Sequence, residues 1–270
     1  MEKRSFKNYL STKLKNKWFV AIVATYLVLL LASSIYWCIN WHFRNFFMSL
    51  GYMLFIPAIL FSEYWLKIRL GNMFVASLLF IAFGSILGCC FDIYTYIPFF
   101  DTALHGVSGV VFACVGFTLA EKFFGKAENG KKFAGCLIFA VLFSLSIALL
   151  WEVFEYSCTV LFKSDMMEDS LVDSINSYFL AGNHYEMVEL DGIVKTLIYL
   201  ENGQVYTING YLDLGLIDTM IDMIICTIGA GVFGVIATFS RKKAPKINEL
   251  LIPKNENDSS YAIKNVTNDN

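Results

Sequence analysis

Six polar side chains lie in three apolar segments of this sequence, in pairs that a helix would bring to one face. The pairs are Asp101 with His105, Glu152 with Glu155, and Asp218 with Asp222. Residues three or four positions apart are neighbours on a helix surface, so each segment would present both polar groups in one direction. Placing ionisable side chains inside a membrane-spanning segment costs free energy, so their presence suggests a functional site.

Five carboxylates and one imidazole cannot all be ionised in a layer of low dielectric constant. Some must be protonated, or a cation must neutralise them. Carboxylate and imidazole ligands in such pairs on neighbouring helices suit a divalent metal ion, as in carboxylate-rich bundles. The mixture of oxygen and nitrogen donors does not select between zinc, manganese, iron and magnesium. We therefore predict a metal site formed by all six residues, with a proton-sharing network as the alternative.

The individual residues also have structural interpretations. Asp101 could be an N-cap, Asp218 could complement a helix macrodipole, and His105 could be a polar anchor at the interface. Glu152 and Glu155 are harder to explain in this way, because the dipole disfavours acidic side chains at a helix C-terminus. A purely structural polar network is the competing hypothesis for the whole set.

The composition of the chain is typical of an integral membrane protein. Of its 270 residues, 57% are hydrophobic and 16% are charged, whereas about 25% are charged in an average soluble domain. Seven cysteines fall in apolar runs without a CxxC motif, so we interpret them as packing residues. The net charge of −2 and the lack of a basic stripe to neutralise phosphates argue against a nucleic-acid partner.

Six apolar runs are long enough to cross a bilayer, which requires about 20 helical residues. The predicted spans are 18–39, 46–66, 73–97, 102–120, 133–162 and 216–239. The predicted fold class is therefore all-α, a polytopic membrane bundle of about six transmembrane helices. Pro57 predicts a kink in the second span. Glycines in the fourth and sixth spans predict that these two helices pack closely; they are Gly106, Gly109, Gly116, Gly229, Gly231 and Gly234.

Lysine and arginine are concentrated on one side of this six-span arrangement. The basic leader 1–17, the loops after the second and fourth spans and the polar tail 241–270 all lie on that side. Because basic loops stay inside, we predict a multi-pass protein of the cell membrane with both termini cytoplasmic. The three polar pairs then lie toward the extracytoplasmic side. The end of the tail, from Asn255, is polar and is predicted to be disordered.

The segment 163–215 is predicted to be an extracytoplasmic insertion within the membrane domain 18–240. Residues 194–200 and 205–208 have the composition of strands, and the Asn202-Gly203 pair between them is typical of a β-hairpin. Earlier in the insertion, Asp165 followed by Glu168 resembles a capping box. That pattern predicts an amphipathic helix through Phe179.

The sequence resembles the YjdF-like family of uncharacterised bacterial membrane proteins, and more distantly the VanZ-like proteins associated with glycopeptide tolerance. The matching motifs are Asp101-Thr-Ala-Leu-His105-Gly-Val-Ser-Gly109, Leu150-Trp-Glu152-Val-Phe-Glu155-Tyr156 and Ile217-Asp218-Thr-Met-Ile-Asp222, followed by Gly229. The VanZ-like pattern would have a Glu-x-x-Gln at Glu155-Tyr156 and an arginine before Asp218, and this sequence has neither. The resemblance implies a protein of the cell membrane and supplies no reaction.

Two functional classes follow from the polar pairs. One is a metal-assisted enzyme acting on a lipid or cell-envelope substrate at the outer leaflet, with Glu152, Glu155 or His105 as general base and the cation as Lewis acid. The other is a non-enzymatic transporter, or an envelope-stress or antibiotic-tolerance protein, whose carboxylates bind protons or a cation. Glu63 lies at the cytoplasmic edge of its span, and the predicted spans show no acidic or basic residue near mid-depth in the cytoplasmic half that would continue a path. This modestly favours a one-sided site.

Overall fold

Long apolar helices dominate the computed structural model, which describes residues 5–97, 99–243 and 254–255. Six helical segments in these residues are long and apolar enough to cross a membrane. They are Lys17–Ile39, Phe43–Leu66, Asn72–Phe91, Phe100–Phe124, Gly130–Phe162 and Leu216–Ser240. The predicted all-α membrane bundle is confirmed, and the chain is a multi-pass membrane protein embedded in a lipid bilayer.

The described elements follow one another in this order. The helices are α1 (Phe6–Lys15), α2 (Lys17–Ile39), α3 (Phe43–Tyr52), α4 (Phe55–Leu66), α5 (Asn72–Phe91), α6 (Ile93–Tyr96), α7 (Phe100–Phe124), α8 (Gly130–Phe162), α9 (Tyr178–Ala181) and α10 (Leu216–Lys243). The strands are β1 (Ile68–Arg69), β2 (Leu171–Val172), β3 (Ile175–Ser177), β4 (Val188–Leu190), β5 (Thr196–Tyr199), β6 (Val205–Ile208), β7 (Tyr211–Leu212) and β8 (Lys254–Asn255).

Two units make up the chain. The first consists of Met1–Ala148 and Ile224–Asn270, and the second of Leu149–Met223. The core of the first unit is apolar and contains buried side chains from α2, α5, α7, the beginning of α8 and the end of α10. At its centre the ring of Phe117 packs edge-on against Phe133 and Phe233, with centroids 5.6 Å and 5.9 Å away.

Glycines bring α7 close to both α8 and α10 in this core. A Cβ added at Gly109 would overlap the backbone carbonyl of Cys226, and one added at Gly229 would overlap the carbonyl of Gly106. On the α8 side, a Cβ at Gly116 would press against Ala140 and Phe143. The predicted close packing of α7 on α10 is therefore confirmed at Gly109 and Gly229, whereas Gly116 allows a close approach to α8 instead.

Two further glycines of α10 do not serve this purpose. A Cβ added at Gly231 or Gly234 would meet no atom within 4 Å. The prediction of close helix approach is wrong at both positions, because they lie beside the stripe of α10 that packs in the core and not on it. That stripe contains Cys226, Ala230 and Phe233, all of them buried.

The second and third predicted spans end differently from the sequence prediction. The second is interrupted at Met53-Leu54, one turn before Pro57, because proline has no N–H to bond the Met53 carbonyl and its ring crowds that oxygen. The third ends at Phe91 rather than at residue 97. The next residue, Asp92, takes a left-handed conformation (φ 59°), and its carboxylate accepts a hydrogen bond from Thr95 Oγ1 at 2.8 Å.

The basic leader contains a helix, α1, that packs on the end of α4. The Lys13 ammonium lies 2.8 Å from the carboxylate of Glu63, and their side chains are 9% and 0% exposed. Lys13 also donates to the carbonyl of Leu70 at 3.2 Å. The ring of Tyr9 packs against Tyr64, with centroids 5.7 Å apart. This buried charge pair therefore ties α1 to the end of α4.

The polar tail is described at two short stretches only. Arg241 to Lys243 are the last helical residues of α10, and β8 pairs antiparallel with β1 through Lys254 and Asn255. The remaining tail, including the stretch after Asn255 that is predicted to be disordered, lies outside the described residues.

The second unit carries three antiparallel strand pairs, β2 with β7, β3 with β4 and β5 with β6. The predicted hairpin is confirmed: Thr196 pairs with Ile208 and Tyr199 with Val205. Gly203 supplies the positive φ of 84° that its turn requires. The amphipathic helix predicted through Phe179 is wrong, because β2 and β3 occupy that stretch. Ser, Asn and Asp residues between the apolar positions compete with helix formation there.

Candidate functional site

The N-terminal turns of α7 hold the first predicted pair. His105 Nε2 lies 3.6 Å from Asp101 Oδ2, and the side chains are 9% and 20% exposed. The pair is thus buried on the side of His105 and partly open on the side of Asp101. The i,i+4 spacing produces this geometry directly, since both side chains leave α7 on one face.

The other side of His105 packs against α10. The Cys226 thiol donates to the His105 carbonyl at 3.2 Å, and its sulfur lies 3.8 Å from His105 Nδ1. Ser108 Oγ donates to the same carbonyl at 2.8 Å and lies 3.5 Å from the Cys226 sulfur. The close approach at Gly109 makes these contacts possible. The imidazole is therefore fixed between the Asp101 carboxylate and the Cys226 sulfur.

Cys226 and Ser108 are neighbours of the site that the sequence prediction does not include. One signal for Cys226 exists, because it follows Asp222 by four residues and shares its helix face. Asp222 is itself 2% exposed. It belongs to a stripe of buried residues that runs the length of α10 at spacings of three and four, through Cys226, Ala230 and Phe233.

A comparable stripe runs along α8 and includes the second predicted pair. Ala140, Ser144 and Ala148 are buried on this stripe, and Ser144 Oγ donates to the Gly109 carbonyl of α7 at 3.0 Å. Glu152 and Glu155 are 5% and 8% exposed, so both are buried although they are acidic. A small-residue packing face thus continues into the acidic pair.

Glu155 has an aromatic partner on the same helix. Trp151 Nε1 donates to Glu155 Oε1 at 2.8 Å, across one turn of α8. This hydrogen bond gives a buried carboxylate oxygen a donor and so offsets part of the cost of its burial. The indole thereby also fixes the orientation of the carboxylate.

The first turn of α10 connects the third predicted pair to the insertion. Asp218 is partly buried, and its Oδ2 accepts from the backbone N–H of Glu168 at 3.1 Å. Just before the helix, Asp213 accepts from the backbone N–H groups of Ile217 and Ser170, both at 2.7 Å. Asp218 therefore has a structural contact that the sequence interpretation does not include.

Asp213 is an acidic residue outside the spans whose ionised form the fold favours. Desolvation raises its pKa, but the backbone donors of Ile217, Ser170 and Gly215 outweigh that effect and hold the pKa of Asp213 below its usual range. The ionised carboxylate is thus part of the N-terminal cap of α10.

The structure places each of the three predicted pairs within one unit. Asp101 and His105 lie together in the first unit. In the second unit, the two glutamates are buried near the end of α8, and the two aspartates follow one another along the first turns of α10. The convergence of all three pairs on one site stays a prediction.

These features define a class of protein: a multi-pass helical membrane protein that carries buried acidic and imidazole groups within its helices. A family model described as a predicted membrane protein (DUF2238) matches residues 17–243. The chain belongs to this family, and the resemblance to the YjdF-like proteins is confirmed, since they are the same family. No curated protein and no solved structure matches the chain.

Proposed function

We propose that the protein binds a divalent cation at a polar site on the extracytoplasmic side of its bundle. The cation would assist a reaction on a lipid or cell-envelope substrate. The observation that carries the proposal is the buried His105, which lies between the Asp101 carboxylate and the Cys226 face of α10. Asp101, His105 and Asp222 provide the right kind of donors for such an ion: two carboxylates and an imidazole, with His105 and Asp222 buried.

The course of α10 supports including Asp222. Cys226 contacts His105, and the residue four positions earlier occupies the same helix face, about 6 Å further along. Asp222 is 2% exposed, so it does not face lipid. A carboxylate buried within a transmembrane helix requires a proton or a cation for neutralisation. A metal ion shared with His105 and Asp101 would supply that neutralisation.

The course of α8 supports adding the glutamates. Ser144 contacts α7 at Gly109, and Glu155 lies eleven residues later, which is about three helical turns and nearly the same direction. Glu152 lies one turn beyond Ala148 on the same buried stripe. We therefore assign Glu152 and Glu155 as further ligands or as general bases, the role that one carboxylate of a metal-assisted site commonly takes. Asp218 completes the set from the first turn of α10.

The distribution of basic residues supports one orientation of the protein. We propose that both termini are cytoplasmic, because the basic leader, two basic loops and the Arg241-Lys242-Lys243 run then all lie inside. The polar pairs then open toward the outer leaflet and the cell envelope. A lipid headgroup or an envelope precursor could reach such a site without crossing the membrane.

Elemental analysis of the purified full-length protein tests the proposal. Wild type is expected to contain stoichiometric divalent metal, and Glu152→Gln is expected to contain much less, because the substitution keeps the shape and removes a charge. Asp92→Asn is the matched control, since Asp92 is an exposed acidic residue outside the set. All variants are compared at equal folded yield. A wild type without metal would contradict the proposal, and a Glu152→Gln variant with full metal content would remove Glu152 from the set of ligands.

The second candidate is a transporter or envelope-response protein whose carboxylates share protons. The burial of Glu152, Glu155 and Asp222 favours it, because protonated carboxyl groups tolerate an apolar layer better than charged ones. Among the described residues, the buried acid of α4, Glu63, is paired with Lys13 and offers no obvious continuation of a proton path. Proton uptake by protein in vesicles, with no bound metal, would favour this second function.

A further inference from the structure

We propose that a groove between α8 and α10 in the first unit binds one anionic phospholipid, with an acyl chain along the helices and the headgroup at their basic ends. The groove has a volume of about 520 Å³. It is lined by α8 from Leu137 to Leu142 and by α10 from Gly231 to Phe239. This binding site is independent of the polar site proposed above.

The chemistry of the groove selects a hydrocarbon occupant. Every lining side chain is apolar except that of Thr238, and the Thr238 hydroxyl already donates to the Gly234 carbonyl at 2.7 Å. Gly231 and Gly234 leave its floor open, with no atom within 4 Å of an added Cβ. Nothing in the lining could hold a polar group, so the part of the bound lipid that enters the groove must be an alkyl chain.

The dimensions of the groove suit an acyl chain. The stretch of α10 from Gly231 to Phe239 rises about 12 Å, and a single extended acyl chain can lie along that length in a volume of about 520 Å³. A packed helix would insert only its side chains there, so a dimer that occupies the groove is an outcome of the test below.

The basic residues near the groove favour a lipid with a negatively charged headgroup. α8 begins just before Lys131 and Lys132, which are exposed and precede Leu137 by about 8 Å of helix. α10 ends in the sequence Arg241-Lys242-Lys243, starting two residues after Phe239. Because the groove is lined by the early part of α8 and the late part of α10, both basic runs lie toward the same end of it. A phosphate headgroup there would meet the positive charge of Lys131 and Lys132.

The test measures lipid retained by the full-length protein after purification from vesicles of equal parts phosphatidylglycerol and phosphatidylcholine. Native mass spectrometry counts the bound molecules. Wild type is expected to retain phosphatidylglycerol over phosphatidylcholine by about tenfold, since each basic residue near a membrane surface contributes severalfold to anionic lipid binding. Equal retention of the two lipids would overturn the proposal.

Two double variants separate the acyl chain from the headgroup. Gly231→Leu with Gly234→Leu fills the groove and is expected to abolish retention of both lipids, whereas Gly51→Leu, at another open helical glycine, is expected to leave it unchanged. If the filled variant does not fold, Leu142→Trp is used instead, because it fills the groove from the α8 side. Retention at the wild-type level in a folded, filled variant would overturn the proposal, as would a dimer that occupies the groove in wild type.

The headgroup is tested at Lys131 and Lys132. Changing both to Gln is expected to reduce the preference for phosphatidylglycerol to about twofold while phosphatidylcholine remains bound. Lys15→Gln with Lys17→Gln is the matched control, because it removes two exposed lysines from the same end of the bundle, away from the groove. An equal loss of preference in both double variants would mean that general surface charge, and no defined site, attracts the lipid.

Discussion

The buried pair of Lys13 and Glu63 gives the sharpest stability prediction. Lys13→Met keeps the length of the side chain but removes its charge, so the carboxylate of Glu63 loses the ammonium 2.8 Å away. Exposed ion pairs contribute about 0–1 kcal/mol. The side chains of Lys13 and Glu63 are 9% and 0% exposed, so the estimate for buried ion pairs applies to them. Removing one partner of a buried pair costs about 3–5 kcal/mol, because the other charge is left uncompensated.

The assay is thermal unfolding of the purified protein in detergent. A protein of this size loses about 2–4 °C of melting temperature for each kcal/mol, so Lys13→Met is expected to lower the melting temperature by roughly 6–20 °C. Lys15→Met is the control, since Lys15 is exposed on the same helix. The double variant with Glu63→Gln is expected to recover part of the loss, because no unpaired charge remains. A loss below about 2 °C for Lys13→Met, or simple additivity in the double variant, would refute the reasoning.

Two other predictions concern the cap of α10 and the orientation of the chain in the membrane. Asp213→Asn is expected to destabilise the start of α10 by about 1 kcal/mol at neutral pH, measured by hydrogen exchange. The folded-state pKa of Asp213 lies below its usual range, so its contribution should be present above about pH 4 and be lost as the pH falls further, whereas the Asn variant should lack this dependence. An impermeant thiol reagent applied to intact cells is expected to label a cysteine at Asn202 and not one at Lys126; the opposite pattern would contradict the proposed orientation.

The membrane helices could be predicted because their signals are local. Six apolar runs identify six spans, and the Asn202-Gly203 turn identifies the hairpin, since each depends on residues close together in the chain. The boundaries depend on single residues, such as the left-handed Asp92 that ends α5. Hydrophobic length alone does not specify such a stop.

Contacts between distant parts of the chain could not be predicted in the same way. The pairing of Lys13 with Glu63 depends on α1 folding back on α4, and no periodic pattern encodes that partner. Gly109 and Gly231 look alike in sequence, yet one is covered by the Cys226 carbonyl and the other faces an open groove. For the same reason, the i,i+4 spacing predicts that Asp101 and His105 share a face but not that Cys226 lies behind the imidazole.

Cys226 links packing to the candidate site, and this leads to the last prediction. Its thiol donates to the His105 carbonyl, and the Gly109 approach leaves little space for a larger side chain there. We expect Cys226→Leu to push α10 away from His105 and so lower metal content several-fold without removing a ligand. Cys226→Ser keeps a donor of similar size and is expected to retain the metal.

The control for this positioning role is Cys136→Leu, which adds the same bulk at a buried cysteine of α8, beside the core rather than beside His105. If both leucine variants lose metal in proportion to their loss of melting temperature, Cys226 acts through general stability. If only Cys226→Leu loses metal at matched melting temperature, the spacing between α7 and α10 sets the geometry of the site. Full metal content in a folded Cys226→Leu protein would remove α10 from the proposed site, because ligands on two helices cannot bind one ion at 2.0–2.6 Å after the helices have moved apart.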